Sequence, residues 1–284
     1  MTQYARQASV IIGTPGSGGL SVTDLRISFT VGKTEGKEPN KATIEIFNMS
    51  EKSRNLIKEP GELVYLSAGY KEGNGLENLF IGNIISINHK FERPDVVTVI
   101  EANDGAEAIR ETKISLSFVA GTSADVVLEK ILKSFLIGSD ISTLAYEDVS
   151  YANGFSFVGA SDVALDKVTK FMGLTWSIQN NEIRFTRFDE SNGSRVVQIT
   201  PETGMIGSPE RLQGVTRKSK GVSKKTKPGW RVRTLLSPRV IPSGKIELGS
   251  REIPEKSVFK VISVDHSGDT QNSDWISNIE VREE

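Results

Sequence analysis

The sequence predicts a mainly β chain with a small α/β insert, an α+β arrangement in which two β regions flank a mixed module. Three observations carry this expectation. Apolar residues recur with a period of two across residues 1–112 and again across 191–284. Between them, two stretches within 113–190 switch to the helical period. The segments that join the apolar runs are rich in Gly, Asn and Pro. With 284 residues, the chain exceeds one small domain, and the changes of period divide it into domains 1–112, 113–190 and 191–284.

In the first domain, "LRISFTV" (25–31) places Leu25, Ile27, Phe29 and Val31 on one face and Arg26, Ser28 and Thr30 on the other, as a half-buried strand requires. "KATIEIF" repeats the pattern with Ala42, Ile44 and Ile46, and "LVYLSAGY" with Val64, Leu66, Ala68 and Tyr70. "LFIGNIISINHKF" and "VVTVIEA" add two strands, and "KTEGKEPN", "KEGNGLEN" and "ERPD" supply turns. One short helix is expected from Glu51 to Lys58, with Ser50 as its N-cap. Strands at this spacing suggest a barrel or sandwich.

The second domain opens its helical part with "GTSADVVLEKILKSF". Ala124, Val127, Leu128, Ile131, Leu132 and Phe135 share a face behind Thr122 or Ser123 as cap. "GASDVALDKVTKFMG" does the same with Ala164, Leu165, Val168, Phe171 and Met172, and Gly173 stops it. The stretches 117–135 and 156–172 align after a two-residue gap, each as strand, glycine turn and capped helix, through duplication or coincidence. "LTWSIQNNEIRF" reads as a hairpin about an Asn-Asn turn. In the third domain "RVVQIT", "WRVRTLL", "GKIELGS", "VFKVISVDHS" and "WISNIEV" are the candidate strands.

Composition excludes several chemistries. The chain lacks cysteine, so disulfides, thiolate nucleophiles and cysteine metal sites are ruled out. A net charge of −1 gives no global attraction to nucleic acid or anionic membrane, leaving only local patches. Apolar runs such as "VVTVI" fall far short of the roughly 20 residues that a membrane span needs. The N-terminus has no apolar core behind a basic start, so synthesis in a cytoplasm without a secretory signal is expected. His89 and His266 are the only histidines, which argues against a zinc hydrolase.

Each local motif has a plainer reading. "VGKT" (31–34) lacks the upstream glycine of a phosphate loop, since Ile27 stands there, and reads as a polar turn after a strand. "GTPGSGG" (13–19) has no helix behind it to complete a phosphate cradle and reads as an arm or loop. His89 alternates with Ile85, Ile87 and Phe91 as a partly buried strand histidine. Arg217, Lys218, Lys220, Lys224, Lys225 and Lys227 crowd one stretch without an acid. They are candidate contacts for DNA phosphates or an acidic partner, with a solvated loop between strands as the plain alternative. "DHSGDTQNSDW" (265–275) gathers Asp265, His266, Asp269 and Asp274, the ingredients of a metal or acid–base site. It lacks the spacing of a calcium loop and reads as the tip of a hairpin.

The order of several stretches resembles the central hub proteins of phage contractile-tail baseplates, in their compact form. "LRISFTVGKTEGKEPNKATIEIFNMSEKSRNLI", "LSAGYKEG", "LFIGNI", "VIEANDGAEAIRETKISLSFVAGTS", "LTWSIQNNEIRF", "TPETGMIGSPER", "WRVRTLLSPRVIPSG" and "VISVDHSGDTQNSDWISNIEV" carry the likeness. The resemblance implies two tail-tube-like β-barrel domains around the α/β module. Three chains would then present six barrels, matching a sixfold tube to a threefold spike. It further implies a homotrimer in the virion baseplate, with the tail tube protein, the central spike protein, the tape measure protein and other baseplate proteins as partners, and DNA passing through the lumen. On this reading catalytic, cofactor and metal residues are absent. The alternative is a cell-wall hydrolase using Asp265 and His266 with Asp269 or Asp274. A third reading, a ring component of a secretion apparatus, is suggested by the middle module alone and disfavoured by the expected lack of a signal peptide.

Overall fold

The computed structural model describes residues 4–13, 19–57, 61–73, 75–105, 112–135, 137–140, 148–187, 191, 196–214, 216–219, 222–225, 227–253, 255–272 and 274–283. The first segment contributes β1 (Tyr4–Ile12), β2 (Leu20–Val22), β3 (Ile27–Thr34), β4 (Lys41–Phe47), the one-turn helix α1 (Glu51–Arg54), β5 (Leu63–Glu72), β6 (Gly75–Glu92) and β7 (Asp95–Asn103). The middle holds β8 (Lys113–Phe118), β9 (Thr122–Ser123), α2 (Ala124–Leu132), β10 (Gly138–Asp140), β11 (Ser150–Tyr151), β12 (Phe155–Ala160), α3 (Ser161–Phe171), β13 (Leu174–Ile178) and β14 (Glu182–Arg187). The last part holds β15 (Val197–Ile199), β16 (Glu210–Leu212), β17 (Thr216–Ser219), β18 (Val222–Lys225), β19 (Gly229–Leu235), β20 (Lys245–Leu248), β21 (Ser257–Asp269) and β22 (Trp275–Arg282). The fold is thus mainly β with an α/β insert.

The expected inward faces of the first segment are buried: Ile27, Phe29 and Val31; Ala42, Ile44 and Ile46; Val64, Leu66, Ala68 and Tyr70. Sequence reading missed how the two β regions meet. Strand β21 pairs antiparallel with β3, from Ser263 opposite Thr34 to Asp269 opposite Ser28. This joins the first and last segments in one sheet of order β16-β19-β22-β21-β3-β4-β7-β6-β5-β1-β2, with β20 also on β21 and β15 on β20. Each β region therefore covers an edge that the other would leave open. The apolar cores remain distinct, one for each segment, although Leu236 and Trp275 of the last segment pack into the first. Trp275 meets Phe29 edge-on at 5.4 Å between ring centroids. Gly268 makes room for this pair, because a Cβ there would lie 2.4 Å from Cζ of Phe29.

In the middle module, β8 and β12 pair antiparallel, and the helices that follow them pack in one core. Ser117 and Ser156 occupy equivalent places in the repeated stretches, and they face each other directly across the pair. Leu116 faces Phe157 and Phe118 faces Phe155, so the two β-α units are related by a local twofold through the serine pair. The buried faces correspond as well: Ala124, Val127, Leu128 and Ile131 match Ser161, Ala164, Leu165 and Val168. The Asn-Asn turn is real. Asn180 and Asn181 both take positive φ, +56° and +62°, as the tight turn between β13 and β14 requires.

Several expectations need correction. "VGKT" is not a turn but the last half of β3. Helix α1 ends at Arg54, short of Lys58, which lies outside the described residues. Phe171 is half-exposed on its helix and stacks on Tyr151 at 4.5 Å between centroids. His89 is exposed, its Nδ1 3.1 Å from Oγ1 of Thr98. A bulge between Ile84 and Ser86 interrupts the alternation expected along β6. Residues 14–18 of the glycine-rich stretch lie outside the described residues.

Candidate functional site

The stretch 265–275 is not a hairpin tip along its whole length. Strand β21 continues to Asp269, so Asp265 and His266 lie inside it, and the chain reverses only between Asp269 and Trp275. A bulge between Val261 and Ser263 decides which of the two faces the core. Before it, Phe259 and Val261 point inward; after it, Val264 and His266 do. One extra residue has changed the parity of the strand. Sequence alternation carried on from Phe259 would have sent Asp265 inside.

His266 is consequently buried, with Nδ1 2.7 Å from Oγ of Ser277, which also accepts the N–H of Ser237 at 3.0 Å. Its Nε2 has no hydrogen-bond partner. Burial, reinforced by the nearby Lys33 charge, lowers its pKa to about 3, so the ring is neutral at ordinary pH. Asp265 projects from the opposite face, exposed above Gly32, and burial together with Glu280 raises its pKa. Asp269 is taken by Arg26, whose Nη2 donates to Oδ2 at 2.8 Å, and by the N–H groups of Gln271 and Asn272. Burial opposes ionisation there, but Arg26 and these N–H groups hold the carboxyl below its usual range. Asp274 is exposed, and its carbonyl accepts the N–H of Asp269. The four residues that looked like a constellation serve four separate ends. Among the described residues, no three His, Asp or Glu side chains gather as metal ligands would.

The polar residues that do converge lie at the joint between the first β region and the middle module. Lys33 is fully buried, and its ammonium donates to Oδ1 of Asn180 at 2.7 Å. Asn40 donates its N–H to Oδ1 of Asp104 at 2.7 Å. Its amide reaches Oδ2 of Asp104 at 2.8 Å and the carbonyl of Ile178 at 2.9 Å. Gln179 donates back to the carbonyl of Thr34 at 2.8 Å, and the N–H of Asn180 reaches Asp104 at 3.1 Å. Gly105 lies beneath Ile178, where a Cβ would come within 2.7 Å of Cδ1. At the rim, Lys37 pairs with Asp166, which also accepts the indole N–H of Trp176 at 2.7 Å.

Burial pushes Asp104 up to about 6 against the hydrogen bonds of Asn40 and the attraction of Lys33. Burial likewise brings Lys33 down to about 8, with Asp104 opposing and Arg184 assisting. In each case the partner's charge opposes the shift that burial causes, so the two groups partly compensate each other in a buried joint. The alternation of "LRISFTVGKT" carried one legible hint, because Lys33 has the parity of Phe29 and Val31. Its partners lie 71 and 147 positions away along the chain, where no local pattern could find them.

The basic stretch forms a hairpin and not a loop: β17 pairs with β18, with Arg217 opposite Lys224 and Lys218 opposite Ser223. It carries no apolar alternation, which is why sequence reading took it for a loop. Lys227 is exposed and its carbonyl accepts from Arg282 at 3.0 Å, whereas Lys220 lies outside the described residues. Among the described residues, no helix is long and apolar enough to cross a membrane.

No family model and no curated protein matches the chain. Solved structures do. The 43 kDa tail protein of prophage MuSo2 from Shewanella oneidensis superposes with a TM-score of 0.65 over 97% of this chain and 96% of its own, at 9% identity. A tail protein from Neisseria meningitidis gives 0.65 over 99% and 97%, at 11% identity. The chain has the fold of phage tail proteins. A component of the E. coli type VI secretion system, described as structurally similar to T4 bacteriophage tail proteins gp27 and gp5, has the tail-protein fold over 97% of this chain and 76% of its own, with a TM-score of 0.57 and 10% identity. At such low identity the shared property is the fold. It extends over the β regions and the middle module alike, so the order of the three parts is part of the likeness.

Proposed function

We propose that the chain is a structural hub of a phage contractile-tail baseplate, in which a homotrimer adapts a sixfold tail tube to a threefold spike. Domains 1–112, 113–190 and 191–284 divide the work, and the two β domains stand in for two tube subunits. The observation that supports this reading most is the end-to-end match with tail proteins, over 97% of this chain and 96% of the Shewanella protein. The shared sheet supports it too. Pairing of β21 with β3 joins the two β regions in one sheet, which suits an adaptor that presents both together. The role is mechanical and non-enzymatic, the location is the virion tail, and the partners are the tube, spike, tape measure and other baseplate proteins. The basic hairpin is assigned to contact with passing DNA or a neighbouring ring.

The hydrolase reading has little geometric support, since Asp265 and His266 point to opposite faces of one strand. Light scattering on the chain alone and mixed with the spike protein of the same tail tests the proposal. A trimer, or a monomer that forms a three-chain complex with the spike, is expected. A monomer that ignores the spike would overturn it. Asp265→Ala and His266→Ala variants assayed on peptidoglycan separate the alternative, for which both would have to abolish an activity present in the native chain.

A further inference from the structure

The middle module meets the rest of the chain largely through one turn. None of its strands enters the large sheet, and among the described residues no backbone–backbone hydrogen bond crosses from it to either β region. Its apolar core shares no residue with the other two, whereas the last segment lends Leu236 and Trp275 to the first core. The side-chain bonds that cross converge on residues 178–180, between β13 and β14. Asn40 donates to the carbonyl of Ile178 and to Oε1 of Gln179, and Gln179 donates to the carbonyl of Thr34. Lys33 donates to Asn180, whose N–H donates to Asp104. The ion pair of Lys37 with Asp166 lies at the exposed rim and adds little.

This joint differs in kind from the cores, because what it buries is polar. Lys33, Asn40, Asp104 and Gln179 are all buried. Opening the joint would return two charges and their amide partners to water, where each is well solvated. Arg184 on β14 also repels Lys33 while the joint is closed. The apolar contact there is that of Ile178 and Ile137 with Gly105, which has no side chain to lose. A polar joint between domains leaves relative motion open, where a large apolar one would suppress it. The two β regions, in contrast, share the continuous ladder of β3 and β21.

We infer that residues 178–180 are the catch of a latch: when Lys33, Thr34, Asn40 and Asp104 release this turn, the middle module opens from the β regions as one body and the shared sheet stays intact. The closed state is held by the hydrogen bonds at the turn, and the open state by the hydration of Lys33 and Asp104. Loss of any bond made only in the closed state moves the population towards the open one. The inference stands apart from the hub reading, since it concerns the single chain.

The lack of cysteine supplies a clean test, because introduced cysteine pairs carry spin labels without background. Lys71→Cys with Lys130→Cys, both at exposed positions, spans the joint; Lys71→Cys with Arg251→Cys spans the two β regions. Distances within each pair are measured by pulsed electron resonance on the full chain. Gln179→Ala removes bonds made only in the closed state and should raise the open population about tenfold. Lys33→Met leaves Asp104 without its cation until the joint opens, and should raise it on the order of 100-fold. The expected result is a second distance for the 71–130 pair that grows from Gln179→Ala to Lys33→Met. The 71–251 pair should keep one distance, and the amides of the β3–β21 ladder should stay protected from exchange. If both variants stay folded and show the native 71–130 distance alone, the inference is overturned. It is equally overturned if the ladder amides lose protection together with the joint, because module and sheet then open as one cooperative body. Neither outcome bears on the hub reading, which light scattering tests separately.

Discussion

Lys33 and Asp104 show how much one buried pair can control. Neither would be tolerated alone in the joint between the first β region and the middle module, and removing one partner strands the other's charge. Asp104→Ala is expected to lower stability by about 3–5 kcal/mol in urea denaturation, well above the effect of an exposed carboxylate. His266 sets a pH dependence. Its folded pKa of about 3 lies below the ordinary 6.5, so the unfolded chain takes the proton first. Its contribution is present above pH 6.5 and is lost as pH falls from there towards 3. Asp104 acts with opposite sign, because a folded pKa of about 6 against an ordinary 3.8 makes the folded chain gain stability as pH falls between them. Acid titration of stability in His266→Leu should therefore lose the decline between about pH 6.5 and 4 and expose the opposing rise, while the loss below about pH 3.8 that Asp269 brings remains. An unchanged decline would locate the acid sensitivity elsewhere. The sequence contained His266 and Lys33 but not their settings, since one depends on a bulge and the other on a distant asparagine.

At the scale of elements, most strands and helices with one continuous apolar face were legible, but β1, which buries Ala8, Val10 and Ile12 on one face, was not expected. The inward faces of β3, β4 and β5 and the stripe of α2 follow directly from their periods. The turn between β13 and β14 was equally legible, because two asparagines are a chemical signature of positive φ. Asn181→Val should cost about 1–2 kcal/mol in thermal or urea melts, whereas Asn181→Gly should be near neutral. Equal loss in both variants would mean that the side chain, not the backbone, is what matters there. Elements failed to be legible where the pattern is broken or missing. Bulges in β6 and β21 reverse the parity within a strand, and β17 and β18 have no apolar face to reveal them. The repeat in the middle module was visible as a similarity of 117–135 to 156–172, but its twofold meaning needed the register of Ser117 against Ser156.

For the whole molecule, the consequential contact is the ladder between β3 and β21, which makes one sheet of two β regions separated by the middle module. On the proposed hub role, assembly would rest on surfaces, and the basic hairpin is the most basic stretch in the sequence. Replacing Arg217, Lys218, Lys220, Lys224, Lys225 and Lys227 by serine should leave the melting temperature nearly unchanged while lowering particle assembly or infectivity. Normal assembly and infectivity would remove both the DNA and the neighbouring-ring role.

The sequence by itself determined the succession of β, α/β and β, the inward faces of β3, β4 and β5 and the apolar stripe of α2, and the lack of thiol chemistry. These are local properties, set by side-chain period and residue type. Only the tertiary structure decided that Asp265 and His266 part company across a strand, that Lys33 meets Asn180 and stands near Asp104 in a buried joint, and that β21 closes onto β3. Those outcomes depend on register and on partners far along the chain. A one-residue bulge changes which groups meet without leaving a trace in composition or period.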